Sequence, residues 1–156
     1  MLDSEFLQRA IALALENAQS GLGGPFGALV VKDRKVIAEA ANNVTSTDDP
    51  TAHAEMLAIR EACKKLGTFH LAGCEIYASC EPCPMCLGAI YWSRLDRIYF
   101  AASAADAAKA GFDDAFIHHE ISKPHAQRKI PMVQLMREEA LKPFRAWEQK
   151  PDKISY

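Results

Sequence analysis

Two short stretches of the chain carry residues that could do chemistry together. One is Thr51-Ala52-His53-Ala54-Glu55, and the other is Cys80-Glu81-Pro82-Cys83-Pro84-Met85-Cys86. Between them they offer one imidazole, at least two thiolates and one carboxylate. A histidine and two cysteines suit zinc, and three protein ligands leave a fourth position open to water. A neutral imidazole with two thiolates balances the charge of the dication. A third thiolate would make the site anionic and its water less acidic. Glu55, two residues from His53, would then be the group that moves protons.

Cys80 keeps other readings open. Cys80-x-x-Cys83-x-x-Cys86 resembles an iron–sulfur spacing, but the bacterial pattern needs a fourth cysteine and then proline after the run. Ile90 and Tyr91 stand there instead. A closed structural zinc site could use all three cysteines with His53, which would leave Glu55 without a task. The five cysteines are an odd number, three of them between Cys80 and Cys86. That argues against a disulfide framework and for reduced thiols in the cytoplasm, some of them on metal. Cys63 and Cys74 read as buried packing residues.

The elements that must position these groups can be read from the pattern. Phe6, Ala10, Ile11, Ala14 and Ala18 recur at helical spacing, predicting an amphipathic helix over 3–20. Ser20-Gly21-Leu22-Gly23-Gly24-Pro25 ends it. This glycine-rich loop follows a helix and precedes a strand, so it is a turn and not a phosphate cradle. Strands are expected over 26–31 and 36–41, joined by a tight hairpin at Lys32-Asp33-Arg34-Lys35. Asn42-Asn43 follows the second strand, where α/β sheets place their ligands. Its amide can both donate and accept, as a purine edge requires. Asp48-Asp49-Pro50 predicts the start of a second helix, which runs to Leu66 with Met56, Ile59, Cys63 and Leu66 on its apolar face. A third strand is expected over 75–79, a helix from Pro82-Cys83-Pro84 to Ser93, a fourth strand over 96–101 and a short helix over 103–110. Pro131–Leu135 reads as a fifth strand, and 137–148 as a last helix broken at Pro143. Strands separated by helices call for an α/β layer architecture, and the opening hairpin makes the sheet mixed. Cys83 and Cys86, three apart at a helix start, share a face. His53 and Glu55, two apart, can meet the same centre only off a helix end.

The bulk properties bound the rest. A chain of 156 residues, 49% of them hydrophobic, is one domain with a sizeable core. Its formal net charge of -2 gives no basic field to gather nucleic acid. No apolar run approaches the roughly 18 residues of a membrane span, and the start does not read as a secretory signal.

His-x-Glu followed by Pro-Cys-x-x-Cys is the mark of zinc deaminases that act on nucleobases. With these residues the chain resembles the cytidine deaminase superfamily over nearly its whole length, and more closely its bacterial guanine deaminase branch. The resemblance rests on Gly24-Pro25-Phe26-Gly27-Ala28, Asn42-Asn43-Val44-Thr45, Asp49 to Glu55, Ser79 to Trp92 and Ala110-Gly111-Phe112-Asp113-Asp114. Cys80, the Gly-Phe-Asp-Asp segment and the tail to Tyr156 resemble the guanine branch specifically. The resemblance implies a three-layer α-β-α fold with a mixed five-stranded sheet of the cytidine deaminase type, in a single domain over 1–156. It implies one Zn2+ per subunit on His53, Cys83 and Cys86, with Glu55 as proton shuttle. Asn42 and the Ala54 backbone would hold the purine, with Phe26 and Trp92 against its faces. Asp114 would contact the departing amine. Tyr156 would close the pocket from a partner subunit, in a homodimer that exchanges the C-terminal segment, about 130–156. The implied reaction is hydrolysis of guanine to xanthine and ammonia. Taken alone, Asp114 reads as a helix cap, Trp92 as a core or dimer contact and Tyr156 as a frayed terminus.

Other features point less far. His118-His119 reads as polar surface. Lys123, His125, Arg128 and Lys129 form a small basic cluster, usual for a solvated loop. A tRNA-editing enzyme would want a broader basic surface and exposed aromatics for a splayed loop. Asp113-Asp114 would repel a phosphate backbone. The expected partner is therefore a small purine, with neither nucleic acid nor membrane. Guanosine, cytosine, ammeline or tRNA adenosine remain alternative substrates, and a zinc-stabilised binding module without turnover remains the alternative from another class.

Overall fold

In the computed structural model, which describes residues 2–156, the chain opens with α1 (Asp3–Ser20). Its buried residues are Phe6, Ala10, Ala14 and Asn17, one stripe at helical spacing. The strands that follow are β1 (Gly27–Lys32) and β2 (Lys35–Ala41). They form a hairpin whose two turn residues, Asp33 and Arg34, both take the left-handed conformation, the geometry that matches strand twist in two-residue loops. Two compact units divide the chain, one running through Asp114 and the other spanning Ala115–Tyr156.

The first unit is built on four strands in the order β2-β1-β3-β4, with β3 Cys74–Cys80 and β4 Arg97–Ala102. β1 is antiparallel to β2 and β3, whereas β3 and β4 run parallel. A parallel pair needs a crossover, which α4 (Pro84–Trp92) supplies. Both faces of the sheet are covered. Leu29, Val31 and Tyr77 face Phe6 and Ala10 of α1. Ala28, Val30, Ala38 and Ile76 face Ala54, Ala58 and Ala62 of α3 (Ala54–Leu66) and Ile90 of α4. A strand covered on both sides loses apolar–polar alternation, which is why β1 reads Ala-Leu-Val-Val without a polar break. The fold is thus α/β with a mixed sheet between helical layers.

The expected fifth strand is not among the described residues: 131–135 is irregular and exposed. Pro131 has no N–H to give a ladder, and β propensity alone does not make a strand. The last helix also differs. α7 (Arg137–Gln149) continues through Pro143 and is not broken there. Proline removes one helical bond, and on an exposed helix the freed carbonyl is left to solvent. A short helix α6 (Ala115–Ser122) occupies the segment after Asp114, and α5 (Ala104–Lys109) stands where the alanine-rich helix is predicted. His118 and His119 are exposed on α6.

The buried stripe of α3 is Ala54, Glu55, Ala58, Ile59 and Ala62, while the predicted face residue Leu66 is exposed. Small side chains let this helix lie close on β1 and β2. An even closer approach occurs at Gly27, where an added Cβ would lie 2.4 Å from the Ala10 carbonyl oxygen of α1. Gly27→Ala must therefore push α1 off the sheet. It should cost about 1–3 kcal/mol, read as a lowered Tm.

Candidate active site

The two chemical stretches sit at two helix starts. α3 begins at Ala54, with His53 as its N-cap in extended backbone. α4 begins at Pro84, with Cys83 as its N-cap, also extended. The His53 side chain makes no cap bond to α3, and the Cys83 thiol meets Cys86 in the first turn of α4. The carbonyls of His53 and Cys83 accept the first helical bonds, from Leu57 and Leu87. Cys86 and Glu55 lie in the first turns. This helix start is not where Asp48-Asp49-Pro50 predicts it. Asp48 closes a four-residue helix, α2 (Val44–Thr47), in left-handed conformation. The Asp49 carboxylate accepts instead from the Thr51 N–H at 2.8 Å and the Thr51 hydroxyl at 2.7 Å. The later start is what lets His53 and Glu55 serve one centre, since His53 is outside the helix and Glu55 within it. Both helix N-termini direct positive dipole ends there.

The His53 Nδ1 lies 3.6 Å from the Cys83 Sγ and 3.6 Å from the Cys86 Sγ. The three ligand atoms all lie within 4.8 Å of one another, and theirs is the one group of three or more His, Cys, Asp or Glu among the described residues that could hold a metal ion. A tetrahedral zinc with Zn–S of about 2.3 Å and Zn–N of about 2.0 Å sets nitrogen and sulfur roughly 3.6 Å apart. The donor set fits zinc. Cys80 is not in the group. It is buried, and its thiol donates to the Ser103 carbonyl at 3.6 Å. The closed site with three cysteines is therefore not formed.

The electrostatics are those of a donor set short of positive charge. The hydrogen bond from Cys86, then that from His53, holds the Cys83 thiol well below its usual range. The same bond, with burial, pushes the Cys86 thiol up. A coordinating thiol is bound as the thiolate, so metal affinity at these two sulfurs depends on pH. His53 is raised, chiefly by its hydrogen bond with Cys83. Glu55 is 8% exposed, and burial pushes its carboxyl up. A buried carboxyl beside the metal donors is placed to exchange protons with what binds there.

Around this centre, Asn42 is buried just beyond β2. Its Oδ1 accepts from the Gly24 N–H and the Val44 N–H, each at 3.2 Å. Both lone pairs of that oxygen are therefore engaged. The amide thus accepts from the protein's own backbone, and its NH2 is what remains for a ligand. The Ala54 N–H, first in α3, belongs to the helix-start donors without an intrahelical carbonyl. Phe26 is half-buried, with Phe112 edge-on at 5.0 Å. Phe112 carries no predicted role, and its position two residues before Asp114 is the one local signal for it. Asp114 is half-buried, and its charge adds to burial and Glu55 in pushing up the Cys80 thiol. Trp92 is 63% exposed on the last turn of α4, about 9 Å along the axis from Cys86 at ~1.5 Å per residue. Tyr156 is 72% exposed and belongs to the second unit. The structure brings together His53, Glu55, Cys83 and Cys86. It ties Asn42 to Phe26 through the Asn42 N–H and Phe26 carbonyl at 3.0 Å. It leaves Trp92 and Tyr156 at the surface of this chain.

Residues 1–102 match the family described as the cytidine and deoxycytidylate deaminase zinc-binding region. The chain is 56% identical over 151 residues to a guanine deaminase of Bacillus subtilis, covering 97% of each chain. An X-ray structure of a guanine deaminase from Bacillus subtilis superposes with a TM-score of 0.97 at 55% identity, covering 100% of this chain and 99% of the other. A tRNA-specific adenosine deaminase of Aquifex aeolicus is 51% identical over 78 residues, about half of each chain (50% of this one and 52% of the relative).

Proposed function

We infer that the chain, which belongs to the cytidine and deoxycytidylate deaminase zinc-binding family, hydrolyses guanine to xanthine and ammonia. The observation that carries deamination is the group of three zinc donors at two helix starts with buried Glu55 beside it. Guanine is supported by 56% identity over 97% of the chain, where tRNA-directed relatives are 51% identical over 50% of it and 36% identical over 82% of it. When bound, zinc supplies Lewis acidity toward water. Glu55 takes a proton from the attacking water. The water oxygen adds to C2 of guanine, and Glu55 delivers the proton to the adjacent ring nitrogen. Glu55 then takes the remaining proton from the C2 hydroxyl and passes it to the amine; the C2–N bond breaks, ammonia leaves, and C2 keeps the oxygen as a carbonyl. The Asn42 NH2 and the Ala54 N–H donate to the purine, Phe26 covers one face, and Asp114 accepts from the amine.

The C-terminal residues support a homodimer with exchanged segments, in an otherwise single deaminase domain. The unit Ala115–Tyr156 buries none of its residues and exposes Ile130, Val133 and Leu135 at 76–77%. The first unit presents an apolar cavity of about 420 Å³ lined in part by Ile11, Leu15, Phe26 and Phe112. A large exposed apolar surface marks an interaction site. A second copy supplies the matching segment, and with it Tyr156 to close the pocket beside Trp92. No helix among the described residues is long and apolar enough to cross a membrane. Five free cysteines suit a reducing cytoplasm.

Ammonia release from a panel of free bases, nucleosides and tRNA tests the substrate. Guanine should be turned over fastest, and release from tRNA alone would overturn the assignment. Deleting Tyr156 should lower guanine turnover by about tenfold or more through lost closure of the site. Mixing that variant with Glu55→Gln chains tests the exchange. Activity above the sum of the two supports it, because a Glu55 site then regains a partner's tail. Strictly additive activity in mixed dimers counts against it.

A further inference from the structure

We propose that Asn17, at the far end of α1, is a positioning residue that sets Asn42 for the purine. The inference rests on Asn42 holding the purine, as stated above. Asn17 is 8% exposed, a polar side chain on an otherwise apolar stripe. Its Nδ2 donates to the Gly24 carbonyl at 2.8 Å and to the Asn42 carbonyl at 2.7 Å. Both amide hydrogens are thereby spent on two carbonyls from segments 18 residues apart in sequence.

Those two segments are also bonded to each other. The Gly24 N–H donates to the Asn42 Oδ1 at 3.2 Å, and the Asn42 N–H donates to the Phe26 carbonyl at 3.0 Å. Asn17 therefore closes a brace in which the backbone oxygen and the side-chain oxygen of Asn42 are both held. The brace leaves no slack. A Cβ on Gly23 would lie 2.1 Å from the Asn42 carbonyl oxygen and 2.9 Å from the Asn17 Nδ2. The side chain of Asn42 can then present only its NH2. A freely rotating amide could offer either end, so the brace converts an ambiguous group into a fixed donor. Without Asn17, the Gly24 and Asn42 carbonyls lose this donor, the Gly23–Gly24 loop relaxes, and the Asn42 oxygen is left with the Val44 N–H alone of its two donors.

The test is a double-mutant cycle on the zinc-loaded enzyme, using Asn17→Asp and Asn42→Ala. Aspartate is isosteric, but its carboxylate offers neither donor to the two carbonyls. Asn17→Asp should raise KM for guanine by roughly tenfold with kcat within about threefold, the pattern of lost uniform binding. In the Asn42→Ala background the same substitution should change KM by less than about twofold, because the group it positions is gone. Zinc content should stay at the wild-type level throughout. Where Asn17→Asp does not fold, Asn17→Ser, which keeps one donor, takes its place with the same expectations at a smaller factor. Equal KM factors in both backgrounds would mean a general structural role and overturn the proposal. So would an unchanged KM on replacing Asn17 while Asn42→Ala raises it. An unchanged KM in Asn42→Ala itself would instead remove Asn42 from purine binding, and the Asn17 proposal with it.

Discussion

Replacing Glu55 with glutamine should lower kcat for guanine by at least about 10³-fold, within the range for removing a general acid–base, while zinc stays bound. Glutamine keeps the size of the side chain and its place in the first turn of α3, so neither the helix start nor the donors of His53, Cys83 and Cys86 need move. What it cannot do is carry a proton. Each turnover asks Glu55 to carry one proton from water to the ring and a second from the new C2 hydroxyl to the leaving amine, so one substitution removes every transfer. Burial already pushes the Glu55 carboxyl up, which favours its holding a proton in the unmodified chain. Metal analysis beside steady-state ammonia release reads the two properties separately. A variant that keeps zinc and full turnover would sink the catalytic assignment. One that loses zinc would show that the carboxylate is needed to build the site.

The parts of this site that could be read from sequence are those fixed by local chemistry. Pro84 after Cys83 marks a helix start, and three-residue spacing then puts Cys86 beside Cys83. Where two local signals compete, sequence alone does not say which wins. Asp48-Asp49-Pro50 carries good helix-start residues, yet Asp49 spends its carboxylate on Thr51 and the helix waits until Ala54. Short polar side chains choose between capping a helix and closing a turn, and both are local hydrogen bonds of similar strength. The missing fifth strand fails for another reason. A run such as Met132-Val133-Gln134-Leu135 has strand propensity, but a strand exists only against an edge, and pairing is not a local property. Asn42 was legible as a ligand-facing residue because it follows a strand. That its oxygen is engaged by the Gly24 N–H was not, since Gly24 lies 18 residues back. Asn17 left one trace: it interrupts the apolar stripe of α1 on the buried side, three residues after Ala14. A polar residue there must have partners, though the sequence does not name them.

Replacing Cys86 with serine should abolish both zinc binding and guanine turnover. Cys86 is fully buried, with its sulfur 3.6 Å from the His53 Nδ1. Serine has a shorter bond to its oxygen and a hydroxyl that does not ionise near neutrality, so it supplies neither the reach nor the negative charge of a thiolate. Two donors would then remain where zinc needs at least three from the protein. Because the metal binds the folded chain, losing it also lowers stability. Site saturation at about 1,000 times Kd is worth about 4 kcal/mol, a fall in Tm on the order of 10 °C for a chain of this size. Cys80→Ser is the internal control. Its thiol bonds the Ser103 carbonyl outside the donor group, and a serine hydroxyl can make that bond too, so zinc content should be unchanged. Chelation gives the sharper comparison. Stripping zinc from the wild-type chain should bring its Tm down to that of Cys86→Ser, and the same treatment of Cys86→Ser should change nothing. If Cys86→Ser instead keeps stoichiometric zinc while Cys80→Ser loses it, the metal sits on a different pair of cysteines. In that case the two helix starts do not converge on it in the way the donor distances require.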